Sequence, residues 1–177
     1  MDWSKAKNII IAVLLAANLL IGGNLLAQRA SQQAQIRQAA EDTFAFLEKA
    51  GMAVDAQLPQ QAEKLPVLFL RLNKDGEGPK EAQYKDYPIV VQGTQIGYEI
   101  AGTGQQAAET ISAAKALLKL YAQLSAEGSV KGKHVEAIEL VYLLSPDESS
   151  YAAQDTASPA WRIQVDGRTY SVDAYGE

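Results

Sequence analysis

AWRIQVDGRTYSVDA, residues 160–174, is the stretch that decides the fold of this chain. Two runs of alternating apolar and polar residues surround Asp166-Gly167, a pair that supplies the positive φ angles of a two-residue type I′ turn. The stretch therefore predicts a β-hairpin in which Val165 and Arg168 flank the turn. Its apolar face holds four residues that we take as the core of the C-terminal module, Trp161, Ile163, Tyr170 and Val172.

The apolar face of this hairpin must pack against another element. Residues Gln105–Glu127 carry an amphipathic pattern with Ile111, Leu118, Tyr121 and Leu124, which predicts a long helix that ends at Gly128. Val135–Leu144 is rich in β-branched residues and predicts a strand. A helix followed by three antiparallel strands indicates an α+β domain with the helix packed on the sheet.

Further elements are expected upstream of this module. A helix over Gln28–Ala50 ends at Gly51, and an extended connector over Met52–Lys64 leads to a strand over Leu65–Leu72. Tyr87–Gln92 and Gln95–Ala101 predict a second hairpin around Gly93-Thr94. The stretch from Pro146 to Pro159 is expected to be a polar loop.

The beginning of the chain predicts a membrane anchor. Nineteen residues, Ile9–Ala27, carry no charge, which matches the hydrocarbon thickness of a bilayer. A cleaved signal peptide is the competing interpretation, but the run is long and Leu25-Leu26-Ala27 lacks the small residues that signal peptidase needs. Lys5 and Lys7 adjoin the apolar run, so we expect the amino terminus in the cytoplasm and the C-terminal domain outside it.

Within the anchor, small residues recur on one helical face and an amide lies near the middle. Such a face permits close helix packing, and a mid-membrane Asn favours a hydrogen-bonding partner helix. A single anchor also tolerates small and moderately polar residues, so both interpretations stay open. The candidate contact residues are Ala12, Ala16, Asn18, Leu19 and Gly23.

Composition excludes several functional classes. The chain has no cysteine and one histidine, which removes disulfides, thiol catalysis and His-rich metal sites. With 16 basic and 21 acidic residues it has no electrostatic surface for nucleic acid. We expect no cofactor, no metal and no small-molecule substrate.

Three local patterns are candidate sites of chemistry. Gly102-Thr103-Gly104-Gln105-Gln106-Ala107 matches a G-x-G-x-x-A fingerprint, but an antiparallel hairpin follows it, so we interpret it as a turn before the predicted helix. His134 is interpreted as an exposed turn histidine, because no triad partners stand at recognisable spacing. Glu136 and Glu139 are expected on opposite faces of a strand, as solvated charges. The sequence thus predicts a protein that is not an enzyme.

Both ends of the chain resemble a known family. MDWSKAKNI directly before the apolar run and the closing PAWRIQVDGRTYSVDAYGE are similar to the YycI (WalI) family of two-component-system regulators. The terminal module also resembles PepSY-like domains, in which a helix packs on a small antiparallel sheet. The resemblance implies an extracytoplasmic regulator of the WalK/WalR (YycG/YycF) cell-wall sensor kinase system, acting with a YycH-like companion. The residue patterns divide the chain into residues 1–8 in the cytoplasm, 9–27 in the membrane, a juxtamembrane helix and connector over 28–64, and an extracytoplasmic domain over 65–177. A PepSY-like inhibitor or chaperone of a peptidase or cell-wall enzyme is the alternative function.

Overall fold

The computed structural model describes residues 31, 34–59, 63–72, 83–91, 98–144 and 155–175. Residues 42–177 form one compact unit. Within the described residues there are two helices and eight strands. They are α1 (34–49), β1 (Met52–Val54), β2 (Lys64–Leu72), β3 (Gln83–Tyr84), β4 (Tyr87–Val91), β5 (Tyr98–Glu109), α2 (Ala113–Ala126), β6 (Lys133–Leu144), β7 (Asp155–Val165) and β8 (Arg168–Asp173).

The strands form one mostly antiparallel sheet around the long pair β6 and β7. The order along the sheet is β3-β4-β6-β7-β2-β5. The outer edge of β6 pairs with two shorter strands, and so does the outer edge of β7. β1 and β4 both run parallel to β6, at its beginning and its end, and β2 and β8 both run antiparallel to β7.

The helix α2 covers this sheet with its apolar face. Ser112 caps the amino end, because its hydroxyl accepts a hydrogen bond from the Lys115 amide at 3.3 Å. Gly128, at φ +69°, follows the helix and satisfies its last turn, as the sequence predicted. The side chains that face the core are Ala113, Ala114, Ala116, Leu117, Leu120 and Leu124.

The C-terminal hairpin is confirmed in its turn and its register. Asp166 and Gly167 have φ angles of 48° and 71°, and Val165 pairs with Arg168. Ile163 faces Tyr170, and Trp161 faces Val172. Trp161, Ile163 and Val172 are buried, whereas Tyr170 packs against the core and stays partly exposed.

The predicted α+β arrangement of a helix followed by three antiparallel strands is also confirmed. α2 leads into β6, which pairs with β7, which pairs with β8. The strand predicted over Leu65–Leu72 is β2. Gly51, at φ +87°, follows the end of α1 as expected.

The second predicted hairpin is wrong. β4 and β5 are both strands, but β4 pairs with β3 and β6, while β5 pairs with β2 at the far edge of the sheet. A Gly-Thr pair can form a hairpin turn, yet β4 makes its hairpin with the preceding strand β3, and the other partners, β6 for β4 and β2 for β5, lie far away in sequence. Long-range pairing has therefore overridden a local turn signal.

The predicted start of the long helix is also wrong. Gln105–Glu109 belongs to β5, and α2 begins only at Ala113. Gln and Ala are good helix formers, so the sequence pattern extends the predicted helix beyond its observed amino end. The structure pairs Ala107, Ala108 and Glu109 with Pro66, Leu65 and Lys64 of β2 instead.

Two predicted irregular segments contain strands. Met52–Val54 in the expected connector pairs with Lys133–Val135 of β6, and Met52 is fully buried. The expected loop up to Pro159 contains the start of β7, because Asp155–Ala157 pairs with Leu68–Leu70 of β2. Leu47 at the end of α1 joins the same core cluster.

The predicted membrane span, Ile9–Ala27, lies outside the described residues. Neither described helix is long and apolar enough to cross a bilayer.

Trp161 offers a direct test of how the helix entry is fixed to the sheet. Its indole N–H donates to the Ile111 carbonyl at 3.0 Å, just before α2 begins. Trp161→Phe leaves that carbonyl without its donor and removes buried volume, so we expect the free energy of unfolding to fall by about 2–4 kcal/mol. Urea unfolding of the full chain, followed by circular dichroism, measures it. Arg168→Ala, at an exposed hairpin position, is the control and should change stability by less than about 0.5 kcal/mol.

Candidate protein-binding surface

His134 lies in β6, not in a turn as predicted, and it forms part of a clamp between three segments. Its Nε2 is 2.7 Å from the Asp55 carboxylate, which follows β1. Its backbone N–H donates to the Asp166 carboxylate at 3.0 Å, and the other oxygen of that carboxylate is 3.0 Å from the Lys133 ammonium. The Lys133 hydrogen bond, with help from the His134 amide, holds the pKa of Asp166 below its usual value of 3.8. These contacts join β1, β6 and the hairpin turn, so they stabilise the fold.

The carboxylates on β6 are also engaged in holding the sheet together. Glu139 lies opposite Arg162 in the register, and the Arg162 Nε donates to it at 2.6 Å. Glu136 accepts a long hydrogen bond from the Gly167 amide at 3.4 Å. Within the described residues, no group of three or more His, Cys, Asp or Glu side chains is placed to hold a metal ion.

Four tyrosines have raised pKa values, and burial is the main cause for each. The pKa of Tyr87 rises to about 12, with further contributions from a hydrogen bond and the charge of Glu63. Burial also raises the pKa values of Tyr98, Tyr142 and Tyr175. The hydroxyls of Tyr142 and Tyr175 donate to the carbonyls of Pro66 and Leu65, at 3.0 and 3.1 Å. These hydroxyls stay protonated and bonded, so they do not suit a catalytic base or nucleophile.

One open edge of the described fold is the outer edge of β5, which we call the β5 edge (the backbone of Tyr98–Glu109 on the side away from β2). Among the described residues, this strand pairs only with β2. From Glu99 to Glu109, nine side-chain positions are exposed, and only Gly102 and Gly104 are half-buried. Such an edge presents unpaired N–H and C=O groups to an incoming strand.

The residues of the β5 edge allow close backbone approach. Ile100–Ala108 is nine residues long and contains neither charge nor proline, the two devices that most often block an edge. At Gly104 a Cβ would stand 3.4 Å from the Val67 carbonyl, an ordinary van der Waals contact with β2. Register shifts against β2 mark bulges, which increase the local twist.

The ends of this uncharged stretch are defined by neighbouring strands. Glu99 lies opposite Arg71 and Glu109 lies opposite Lys64. Directly after β5, Thr110 bridges to Tyr175, and the Ile111 amide donates to the Ala174 carbonyl at 2.7 Å. The chain beyond β8 thus covers the edge at Thr110. Among the described residues, the unpaired part of the β5 edge is Tyr98–Glu109.

The sequence-predicted site residues lie elsewhere. Trp161, Ile163 and Val172 are buried in the core. The candidate anchor contacts Ala12, Ala16, Asn18, Leu19 and Gly23 lie outside the described residues. The Gly102-Thr103-Gly104 pattern, predicted as a turn, is the middle of β5 and has no helix start beside it, because α2 begins at Ala113. Two glycines among small polar residues are the signal for an open strand here, although the same residues also favour a turn.

Comparison with known proteins adds little to this description. No protein-family profile matches the chain, and no curated protein matches it. A crystal structure of an uncharacterized protein from Eubacterium rectale aligns with 19% identity over 45% of this chain and 26% of that chain, at a TM-score of 0.34. The chain thus spans about a quarter of that protein, and a likeness at this level bears on neither fold nor function.

The tyrosines predict how stability responds to alkaline pH. In the unfolded chain their hydroxyls lose protons near pH 10, whereas Tyr87 in the folded protein keeps its proton to about pH 12. The folded state then binds more protons, so stability is lost progressively as pH rises from 10 to 12. Spectrophotometric titration of the eight tyrosines should show a late group in the native protein and one transition near pH 10 in urea. A single transition near pH 10 in the native protein would contradict this, and Tyr87→Phe should reduce the late amplitude.

The β5 edge predicts a pattern of hydrogen exchange. Because β5 pairs with β2 alone within the described residues, we expect the amides of residues 99–109 to exchange faster than those of residues 157–165 in β7, which has partners on both sides. Exchange of the full chain, measured by mass spectrometry, provides the comparison within one molecule. Equal protection of the two strands would mean that the edge is already covered.

Proposed function

We propose that this chain is a membrane-anchored regulatory protein that modulates a sensor histidine kinase of the WalK/WalR (YycG/YycF) cell-wall system. In this proposal the amino terminus is cytoplasmic, Ile9–Ala27 spans the membrane, and the α+β domain is extracytoplasmic. The observation that carries it is the charge-free run of nineteen residues between an opening and a closing stretch that both resemble the YycI family.

The proposed mechanism is preferential binding to one signalling state of the kinase. A partner shifts a two-state equilibrium only by the difference between its affinities for the two states, and about 1.4 kcal/mol of difference changes the ratio tenfold. Ala12, Ala16, Leu19 and Gly23 supply a small-residue face for packing against a kinase helix. Asn18 supplies an amide that gains from a polar partner inside the bilayer.

The extracytoplasmic domain contributes a second contact in this proposal. A YycH-like companion would add a strand to the β5 edge, where backbone hydrogen bonds provide affinity. The nine uncharged residues Ile100–Ala108 favour this mode over charge-driven docking.

Regulation by contact, without catalysis, is consistent with the chemistry of the described residues. Asp55, Glu139 and Asp166 are each bound to a cationic or imidazole group within the fold. No buried side-chain polar atom in the described part of the chain lacks a hydrogen-bond partner.

An inhibitor or chaperone of a secreted peptidase or cell-wall enzyme is the second candidate. The observation that favours it is the module of α2, β6, β7 and β8, which has the helix-on-sheet arrangement of PepSY-like domains. Such an activity needs the domain but no particular contacts within the membrane.

The anchor distinguishes the two candidates. We expect the full-length protein, crosslinked in the membrane, to co-purify with one sensor kinase of its own cell. Asn18→Leu with Gly23→Leu should reduce that recovery by about tenfold or more, because it removes the amide and fills the small-residue face.

The matched control makes the same kinds of change on another face of the helix, Ala17→Leu with Asn24→Leu, and should retain the kinase. Equal loss in both variants would indicate a general defect of the anchor. Recovery of a secreted enzyme instead of a kinase, unchanged when the whole anchor is replaced, would support the inhibitor and contradict regulation through the membrane.

A further inference from the structure

The outward face of α2 combines exposed apolar and basic side chains. Lys115 and Leu118 are exposed, Lys119 and Tyr121 are partly exposed, and these positions follow one another at helical spacing. Leu118 keeps 39% of its surface accessible, although leucine usually contributes to a core. Lys115, Leu118 and Lys119 lie away from the residues that α2 buries, whereas Tyr121 flanks them and packs partly against the core.

An aromatic side chain from α1 extends this face. The ring of Phe46 meets the ring of Tyr121 edge to face, with centroids 5.1 Å apart and planes at 77°. Phe46 is still 46% exposed, so the contact uses one part of the ring and leaves the rest open. We call Phe46, Lys115, Leu118, Lys119 and Tyr121 the α2 patch. A ring that already packs against another ring loses little conformational freedom on binding. Aromatic residues of this kind often dominate protein interfaces.

The charge of the α2 patch is opposite to that of the chain as a whole. The chain carries a formal net charge of −5, but Ala113–Ala126 contains two lysines and no acidic residue. In the described part of the structure, ion pairs involve Lys133, His134 and Arg162, and neither Lys115 nor Lys119. The two ammonium groups are one helical turn apart, with Leu118 between them in the sequence. They can therefore pair with two carboxylates at a similar spacing.

We propose that the α2 patch binds an amphipathic helix of a partner protein that carries acidic residues beside an apolar stripe. This inference rests on the proposed function in one respect, since it specifies the surface through which the regulatory partner is recognised. The apolar stripe covers Phe46, Leu118 and Tyr121, and carboxylates one turn apart pair with Lys115 and Lys119. Apolar anchors with a charged rim provide affinity from the centre and orientation from the edge.

Two other occupants fit the patch less well. A second copy of this chain would bring lysines against lysines. An anionic membrane is recognised by clusters of about four to eight basic residues, and the patch has two. A partner helix with few carboxylates matches both the number and the spacing of the lysines.

The test places a photo-reactive benzoylphenylalanine at Leu118 in the full-length protein, expressed in its own cell, and at Arg168 as an exposed control site. We expect a protein adduct from position 118 and none to the same protein from position 168. Sequencing of the adduct should locate the crosslink in a helical segment with acidic residues. The double substitution Lys115→Glu, Lys119→Glu should reduce the adduct about tenfold. Lys131→Glu, Arg168→Glu makes the same change in net charge at exposed residues that are not part of the patch and should leave the adduct intact.

Three outcomes overturn the inference. Equal loss in both charge-reversal pairs would mean that net charge, not the patch, controls binding. Adducts to lipid alone would assign the patch to the membrane, and no adduct at all would show that it is solvated. The proposed function fails separately: if the adduct is a protein unrelated to the kinase system and is lost on Lys115→Glu, Lys119→Glu, the patch stands and the regulatory assignment does not.

Discussion

The pairing of β6 with β7 is the interaction on which the rest of the structure depends. It runs from Val135 opposite Val165 to Leu144 opposite Ala157. Both strands are long enough to hold two partners each, so every other strand reaches the sheet directly or through one neighbour of this pair. Loss of this pairing would divide the sheet, because β1 and β4 pair with β6 whereas β2 and β8 pair with β7. Trp161 is fully buried within β7, and its indole N–H donates to the Ile111 carbonyl. This hydrogen bond fixes the start of α2 to the central pair of strands.

The elements that could be predicted from the sequence are those with local signals. Asp166-Gly167 favours a type I′ turn through its own backbone preferences. The β-branched residues of β6 likewise favour a strand without reference to their partners in the sheet. The pairing of β5 with β2 carried no such signal, because its partners are separated by a long stretch of chain and its Gln and Ala residues favour a helix equally well. The same limit applies to the candidate surfaces. Residue types indicate that Phe46 and Leu118 are apolar, but only packing decides that they remain exposed.

The short connection between β5 and α2 gives the two candidate surfaces a fixed relation within the domain. Thr110, Ile111 and Ser112 are all that separate Glu109 from Ala113. The Thr110 hydroxyl accepts from the Glu63 amide at 3.1 Å, and the Ile111 amide and carbonyl are bound by Ala174 and Trp161. Thr110 and Ile111 are both buried, so this connection is held from the strand side, the C-terminal side and the core.

A rigid connection of this kind has a consequence for binding. A strand added along the β5 edge and a helix docked on the α2 patch would be held at a constant separation, so one partner that engages both would bind its second surface at a high effective concentration. Two contacts that are individually weak would then act together without any change in the fold. If only one of the two kinase states presents both elements at that separation, the difference in affinity arises from geometry alone, which is the condition for shifting a two-state equilibrium.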